Sequence, residues 1–368
     1  MIRFLTAGES HGRNLTAVIE GLPAGLKIDV DFINGELSRR QAGYGRGPRM
    51  RIEKDKVDIT AGVRFGRTLG NPVVLVVPNL DWQNWEEIMS VSMDHPVAYK
   101  KITRPRPGHA DFAGAIKYHH DDIRNVLERS SARETTMRVA AGAVCKLFLR
   151  EFGIEIKSDV VEIGGIKSQA LNSEKKIKSK IDKAVKEGNS LGGIFEIQVL
   201  NAPVGLGSYV HWDRRLDGKL AQALMSIPAI KGVEIGLGFE AGRRLGSDVH
   251  DEIFYRGRAG RGEYYRKTNN AGGLEGGMTN GEPIIIRASM KPIPTLKTPL
   301  SSVDMSTKKM VEAGYERSDV CAVYAASVIG EAMIAMIIAD TFLEKFGGDS
   351  MDEIKAGFSY YKNYVKRS

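Results

Sequence analysis

The sequence predicts a mixed α/β protein of the α+β type. Short β-rich runs bounded by turn residues indicate strands. Longer segments repeat their apolar residues about every 3.6 positions, the spacing of an amphipathic helix. The two kinds of segment do not alternate strictly along the chain, whereas a doubly wound parallel sheet requires alternation. No low-complexity linker divides the 368 residues, and we expect a single large domain over residues 1–368.

The predicted strands are rich in β-branched and aliphatic residues, and they are Leu15–Glu20, Val57–Val63, Val73–Val77, Ile194–Leu200 and Pro283–Ala288. The predicted helices are Asp31–Gln41, Ala110–His120, Glu134–Glu151, Glu174–Glu187, Asp213–Met225 and Val320–Lys345. The helix from Glu134 repeats apolar residues along one face, which predicts a buried stripe of Met137, Ala140, Ala141, Val144, Leu147 and Phe148.

One apolar run, Val320–Ile338, is about long enough to cross a bilayer. It contains Glu331 and leads into Asp340, and charge inside a membrane is costly. We therefore predict a buried core helix and no membrane span. The two cysteines, Cys145 and Cys321, do not support a disulfide framework. With no signal-peptide pattern at the N-terminus, we expect a cytoplasmic protein.

The chain is basic, with 53 Lys and Arg against 45 Asp and Glu and a formal charge of +8. Such an excess attracts nucleic acid, membrane surfaces or phosphorylated small molecules. Residues 39–51 and 104–138 are arginine-rich. Residues 167–186 are lysine-rich and mixed with acidic residues, which is typical of a solvated helix face.

The first candidate site motif is GESHGRN, in which Ser10 and His11 lie between glycines just before a predicted strand. His11 is suited to exchange a proton near neutral pH, and Ser10 to hydrogen-bond a ligand. A turn histidine with an ordinary structural partner is the alternative.

The second motif, Leu37–Glu53, interleaves three glycines with Arg39, Arg40, Arg46, Arg49 and Arg51. Arginine forks bind carboxylate and phosphate in bidentate fashion, and glycines let the backbone approach a ligand closely. The spacing matches neither a dinucleotide fingerprint nor a P-loop. A basic surface loop or an RNA-binding loop remains the alternative.

Two further motifs surround predicted helix starts. Pro105 and Pro107 stiffen the approach to His109, which is well placed to act on a developing anion. In ERSSARET, Arg129 and Arg133 are four residues apart and flank Ser130 and Ser131. Guanidinium, hydroxyl and free N–H groups together predict a phosphate cradle. Ser131 with Glu134 also fits a capping box, and the two roles are compatible.

The last two motifs lie in the C-terminal half. The glycine-rich segment Asn269–Pro283 leads into KPIPTL at Lys291–Leu296, where it suits a planar ring or a phosphate. Arg317 and Asp319 precede the longest apolar helix, so Asp319 is a candidate base or a helix cap. Metal binding is not predicted, because no Cys-x-x-Cys or His-Glu-x-x-His spacing occurs and His119–Asp122 are adjacent residues whose side chains diverge.

Taken together, the blocks resemble the chorismate synthase family. They occur in the order GESHG, QAGYGRGPRM, RPGHAD, ERSSARET, NNAGG with LEGG, KPIPT and RSDVC, between residues 8 and 321. The resemblance implies conversion of 5-enolpyruvylshikimate 3-phosphate to chorismate and phosphate, with reduced FMN as cofactor. It leaves open whether NADPH reduces the flavin on the protein or an external flavin reductase supplies it.

The resemblance also implies roles for individual residues. His11 would protonate the departing phosphate, His109 would protonate or stabilise the flavin anion, and Asp319 would assist proton removal at flavin N5. Ser10 and Ser131 would add hydrogen bonds. The implied substrate clamp is Arg40, Arg46, Arg49 and Arg133. The implied FMN site is Arg129, Ser130, Ser131, Ala229, Gly276, Lys291, Pro292, Ile293, Pro294, Thr295 and Arg317.

Two positions depart from the family pattern: Pro228 stands where asparagine is frequent, and His119 stands where a glycine is expected. The implied fold is a β-α-β sandwich with a helical layer between antiparallel sheets, assembled as a homotetramer. We expect a small phosphorylated substrate and no nucleic acid. An RNA-binding protein and a different flavin enzyme remain the competing hypotheses, although the arginine loops lack interleaved aromatic residues for base stacking.

Overall fold

The computed structural model describes residues 1–47, 54–92, 99–258, 261–316 and 318–366. Within them the helices are α1 Val30–Gln41, α2 Asp111–Tyr118, α3 Arg124–Ser130, α4 Thr135–Arg150, α5 Ser173–Lys186, α6 Leu216–Met225, α7 Gly246–Val249, α8 Val323–Phe346 and α9 Met351–Val365. Short 3₁₀ turns cover Trp82–Asn84, Ala132–Glu134, Trp212–Arg214 and Gly238–Arg243.

The strands are β1 Arg3–Ala7, β2 Asn14–Glu20, β3 Asp58–Ala61, β4 Val63–Arg64, β5 Arg67–Thr68, β6 Val73–Pro78, β7 Glu155–Ile163, β8 Ile166–Lys167, β9 Gly193–Leu200, β10 Ile230–Ile235, β11 Ile253–Arg258, β12 Arg261–Arg266, β13 Leu274–Glu275, β14 Met278–Thr279, β15 Ile284–Met290, β16 Ser301–Val303 and β17 Met310–Glu312. The protein is therefore a mixed helix and strand structure of the α+β type.

Two antiparallel sheets hold most of the strand residues. The first has the order β1-β2-β6-β3, with Leu15 opposite Val77. The second has the order β10-β15-β9-β7-β8, with Ile286 opposite Ile197. All four of these side chains are fully buried, because each strand alternates inward apolar residues with more exposed ones.

Helices α4 and α8 pack against each other. Helix α4 also contacts β2 and β6, while α8 contacts β7 and β9. Gly142 of α4 faces Ala332 of α8 so closely that a Cβ on Gly142 would overlap it. A single apolar core runs through these helices and both sheets.

Helix α8 is the predicted core helix. The helix is long and apolar enough to cross a membrane, but 89% of its most apolar 18-residue window is buried inside the protein. Glu331 in its middle has no exposed surface and pairs with Arg39 and Lys146. Burial alone would raise the pKa of Glu331, but these two cations outweigh it and lower the pKa.

The predicted strands and helices are present, but several begin or end at residues other than those predicted. The segment Val57–Val63 divides into β3 and β4, because Gly62 between them adopts a left-handed conformation with φ of 85°. The first residues of the predicted Asp213–Met225 helix form a 3₁₀ turn, and α6 begins at Leu216. The lysine-rich segment is helix α5, which buries Ile177 and Ile181 and exposes its lysines.

Candidate active site

The Ser10–His11 turn is held by Glu128 of α3. The backbone N–H of His11 donates to Glu128 Oε2 at 2.8 Å, and His11 Nδ1 lies 2.9 Å from Glu128 Oε1. The Ser10 N–H donates to the Glu128 carbonyl at 2.9 Å. The turn that the sequence marked as a site therefore has a fixed position relative to α3.

The His11 ring is also packed. It stacks on Trp85 with ring centroids 3.8 Å apart. The Arg124 guanidinium lies over the Trp85 ring, 5.0 Å from its centroid. Arg124 Nη1 donates to Glu128 Oε1 at 3.1 Å. Burial would raise the pKa of Glu128, but the hydrogen bonds and charge of His11, with Arg124, lower it. Glu128 is thus held as a carboxylate.

The serines of the ERSSARET block lie beside this turn. Ser131 Oγ donates to Ser10 Oγ at 3.1 Å, which joins the two predicted serines. Ser131 Oγ also accepts from the Arg133 N–H at 3.3 Å, so it caps the short turn before α4. Ser130 Oγ donates to the Val126 carbonyl, and Arg129 donates to Thr6 at the end of β1.

Two arginines meet at Asp55. Arg133 Nη1 lies 2.6 Å and 2.7 Å from the two Asp55 carboxylate oxygens, and Arg133 Nε donates to Asn79 Oδ1 at 3.0 Å. Arg40 donates to Thr135 Oγ1 and lies 3.7 Å from Asp55. The Arg133 guanidinium thus binds Asp55 and Asn79 and links these parts of the fold.

Arg40 is the more unusual of the two. It is buried, and its Nη1 has no hydrogen-bond acceptor among the described residues. Burial is the main reason that the pKa of Arg40 falls to about 10, and the nearby charges of Arg133 and Arg46 lower it further, against the opposing effect of Asp55. A buried guanidinium with a remaining donor is suited to bind an anion.

The arginine–glycine loop docks on the segment before α8. Arg46 Nη1 donates to Asp319 Oδ2 and the Gly47 N–H donates to Asp319 Oδ1, both at 2.6 Å. A Cβ on Gly47 would lie 2.9 Å from the Ser318 carbonyl oxygen, so the close approach requires glycine. Asp319 does not cap α8, which begins at Val323. The structural alternative of a helix cap was therefore wrong, because the carboxylate is used by the loop.

The Ser10–His11 turn and the arginines at Asp55 and Asp319 are called the first polar group. His109 belongs to a second polar group. Its Nδ1 lies 2.5 Å from Asp111 Oδ1, and Arg106 Nε donates to Asp111 Oδ2 at 2.7 Å. Arg106 Nη1 also donates to Thr295 Oγ1 at 3.1 Å. Burial would raise the pKa of Asp111, but hydrogen bonds from His109 and Arg106 outweigh it and hold the pKa below its usual range.

The KPIPT segment completes this second group. Lys291 Nζ donates to the Gly108 carbonyl, directly before His109, and the Lys291 N–H donates to the Ala229 carbonyl at 2.9 Å. Ala229 has a left-handed φ of 69°. The segment then continues through Pro292 and Pro294, with the Ile293 carbonyl accepting from Ser190 Oγ at 2.6 Å.

The segment after Ser190 links the two groups. The Leu191 N–H donates to the Val320 carbonyl at 2.8 Å, and the Val320 N–H donates to the Gly45 carbonyl at 2.9 Å. Backbone hydrogen bonds thus connect Leu191, the Asp319 segment and the arginine–glycine loop, and the Ser190 side chain connects them to the KPIPT segment. Helix α2, which follows His109, also packs on helix α3, which carries Glu128.

Gly276 is a predicted site residue whose turn makes its described contacts elsewhere. The turn that contains Gly276 contacts the start of α6 and Gly207 instead. Arg49 and Arg317 lie outside the described residues.

The sequence did not indicate several polar residues that hold the site together. These are Asp55, Asn79, Arg106, Asp111, Arg124 and Glu128. Arg106 and Asp111 lie within the RPRPGHAD block, so the block itself carried a signal for them. Asp55 lies 78 positions from its partner Arg133, and no local spacing predicts such a pair. Among the described residues, no group of three or more His, Cys, Asp or Glu side chains could hold a metal ion.

The comparisons with known proteins agree with one another. The family model described as chorismate synthase matches residues 2–343. The chorismate synthase of Aquifex aeolicus is 55% identical over 394 residues, covering 99% of this chain and 98% of that protein. The chorismate synthase of Geobacter sulfurreducens is 56% identical, and the match covers 100% of both chains.

A solved crystal structure of a chorismate synthase superposes with a TM-score of 0.79 at 46% sequence identity, covering 99% of this chain and 98% of the other. Its likeness extends over the same arrangement of helices and strands that carries the two polar groups. The chain therefore belongs to the chorismate synthase family.

Proposed function

We propose that the Ser10–His11 turn, the buried arginines and the His109 group together form the active site for the family's reaction. As a member of this family, the chain is a carbon–oxygen lyase of aromatic biosynthesis. It removes phosphate from 5-enolpyruvylshikimate 3-phosphate by 1,4-elimination and yields chorismate. The observation that supports the site best is the gathering of Arg46 and Arg133 near the buried Arg40.

Such a gathering of like charge is unfavourable unless anions compensate it. Asp55 pairs with Arg40 and Arg133, and Asp319 pairs with Arg46, so carboxylates of the protein itself lie within this arginine cluster. The substrate carries a phosphate and carboxylates, which are the anions that arginine binds best. We propose Arg40 as the principal clamp, with Arg46, Arg49 and Arg133 contributing to the same field.

We propose His11 as the acid that protonates the departing phosphate. Phosphate is a better leaving group when it gains a proton as the bond breaks, which is the usual contribution of a general acid. Ser10 and Ser131 lie hydrogen-bonded to each other beside this ring and are suited to hold the phosphate oxygens. His109 is proposed as the second proton-transfer group and Asp319 as the base.

We propose reduced FMN as the cofactor. When bound, it supplies electron density for expulsion of phosphate and accepts the hydrogen that leaves. The donors present fit a flavin mononucleotide: Lys291 provides a cation beside His109, and Thr295 provides a buried hydroxyl. Arg129, Ser130, Ser131, Ala229, Gly276, Lys291 to Thr295 and Arg317 remain the proposed contacts.

The domain organisation, oligomeric state, location and electron source are also proposed. We propose one domain over residues 1–368 with a helical layer between antiparallel sheets, supported by the contacts of α4 and α8 on opposite sheets. A homotetramer is proposed from the family resemblance, and exposed large apolar side chains, among them Trp212, Phe239 and Leu245, support contacts between copies. The protein is proposed to be cytoplasmic, with NADPH or an external flavin reductase as the source of electrons.

The clamp is tested by Arg40→Met, which removes the charge and keeps most of the volume. Asp55 stays paired with Arg133, so we expect the variant to fold. The dissociation constant for the substrate should rise by about 100-fold or more, because a desolvated charge contact is lost. Arg243→Ala, at an exposed position, is the control. Substrate affinity within threefold of the unsubstituted protein would remove Arg40 from the clamp.

A further inference from the structure

One buried residue, Glu128, contacts both residues of the Ser10–His11 turn: its carboxylate binds His11, and its backbone carbonyl accepts from the Ser10 N–H. We propose that Glu128 is the positioning residue that fixes the His11 ring and selects Nε2 as the nitrogen that exchanges protons. This inference rests on the proposed role of His11 in the reaction.

The geometry of the pair carries the proposal. Both carboxylate oxygens lie near Nδ1, at 2.9 Å and 3.1 Å, and Oε2 also accepts from the His11 backbone N–H at 2.8 Å. The ring and its own backbone are therefore bound to one group. The Glu128 side chain is only 2% exposed and that of His11 14%, so water competes little for these bonds.

The chemistry of a carboxylate decides the tautomer. An ionised carboxylate only accepts hydrogen bonds, so the nitrogen facing it must carry a proton. In His11 that nitrogen is Nδ1. Nε2, on the far side of the ring from Glu128, is then the position that gains or loses a proton. The same logic applies where a buried carboxylate orients a catalytic histidine, and loss of the charge there permits the wrong tautomer.

The surroundings oppose rotation of the ring. Trp85 stacks on His11 at an interplanar angle of 22°, which blocks a flip about the ring axis. Arg124 binds Glu128 Oε1 at 3.1 Å and fixes the carboxylate from α3, one turn earlier. Ser10 is tied to the Glu128 carbonyl, so a shift of this residue would move both members of the turn.

Two substitutions separate charge from shape. Glu128→Gln keeps the shape and removes the charge, and Glu128→Asp keeps the charge and shortens the side chain. If Glu128 sets the tautomer, kcat should fall by about 10²–10⁴ in Glu128→Gln and by less in Glu128→Asp, with KM changed by less than about threefold in both. A role in packing alone reverses this order, because glutamine preserves the volume.

The matched control is Asp122→Asn. Asp122 is 3% exposed, lies two residues before the same helix and accepts from the backbone N–H groups of Ile102 and Arg124. Asparagine keeps an oxygen that accepts both bonds, so kcat should stay within about twofold. His11→Asn is the second comparison. If it retains full kcat, the role of His11 fails independently of Glu128.

A readout without turnover accompanies the kinetics. With ¹⁵N-labelled histidine, the His11 ring signals are identified by their loss in His11→Asn. At alkaline pH the unsubstituted protein should show His11 protonated on Nδ1, and Glu128→Gln a mixture of both tautomers. Protonation on Nε2 in the unsubstituted protein would overturn the proposal even if neither variant folds. Equal kcat in Glu128→Gln and the unsubstituted protein would do the same.

Discussion

At the scale of single residues, the sequence identified charged groups more readily than their partners. His11, His109 and Arg133 lie in motifs rich in glycine, proline or serine, which mark them as candidates. Glu128 and Asp111 lie inside the ERSSARET and RPGHAD blocks, and Asp55 lies outside the motifs, but no spacing in the sequence pairs these carboxylates with His11, His109 and Arg133. The roles proposed for the histidines thus depend on carboxylates that sequence spacing did not predict.

His119 shows a different kind of residue effect. It ends α2 in the left-handed conformation, with φ of 55° and ψ of 42°, where a side chain costs energy and glycine does not. The conformation of His119 is thus one that favours the glycine expected here from the family resemblance. His119→Gly should therefore increase the free energy of unfolding by up to about 1 kcal/mol.

Denaturant unfolding measures this change, and enzymatic activity should stay constant because His119 is exposed and contacts neither polar group. A serine at the same position is the matched comparison, since it removes the imidazole and keeps the Cβ. Equal stabilisation by glycine and serine would attribute the effect to the imidazole and contradict the backbone explanation.

At the scale of elements, the pair Arg133–Asp55 ties the start of α4 to the segment before β3. Both side chains are almost fully buried, at 3% and 0% exposure. Arg133→Ala leaves Asp55 with Arg40 as its nearest cation, at 3.7 Å and without a close hydrogen bond. Because an uncompensated buried charge is costly, we expect a loss of about 3 kcal/mol in the free energy of unfolding.

The control is Arg3→Ala, whose exposed pair with Glu20 spans 3.8 Å and should contribute less than about 1 kcal/mol. Thermal and denaturant unfolding of both variants give the comparison. If Arg133→Ala is as stable as Arg3→Ala but binds substrate poorly, Arg133 acts on the substrate and hardly on the fold.

The elements that the sequence did not predict have physical reasons for it. Helix α9 is mostly exposed and docks through Phe358 against Phe342 of α8, a tertiary contact that the local pattern of α9 does not reveal. Its start did carry a signal, since Ser350 and Glu353 form a capping box. Strand β7 alternates charged residues with half-buried ones, so its apolar pattern is weak. Helices α4 and α8, with strong apolar patterns, were predicted.

At the scale of the whole molecule, buried carboxylates make the fold sensitive to acid. The pKa values of Asp111, Glu128 and Glu331 are each lowered by their partners in the folded state. A carboxylate with a lowered folded pKa stabilises the protein above its unfolded pKa of about 4, and this stabilisation is lost as the pH falls through the folded value.

The free energy of unfolding should therefore decrease as the pH falls from about 5 to about 2. Glu331→Gln should lower it at neutral pH and reduce its dependence on acid, because one linked carboxylate is removed. Denaturant titrations at several pH values measure both effects. An unfolding free energy that stays constant over this range would contradict the contribution of the buried carboxylates.

The central claim is that the two polar groups form one active site for phosphate elimination with reduced FMN. Its most direct test is anaerobic: the purified protein is mixed with 5-enolpyruvylshikimate 3-phosphate and either reduced or oxidised FMN, while phosphate release and chorismate absorbance are followed. We predict equal amounts of both products with reduced FMN and none with oxidised FMN. Product formation without reduced flavin, or none when FMN and substrate are both bound, would contradict the claim.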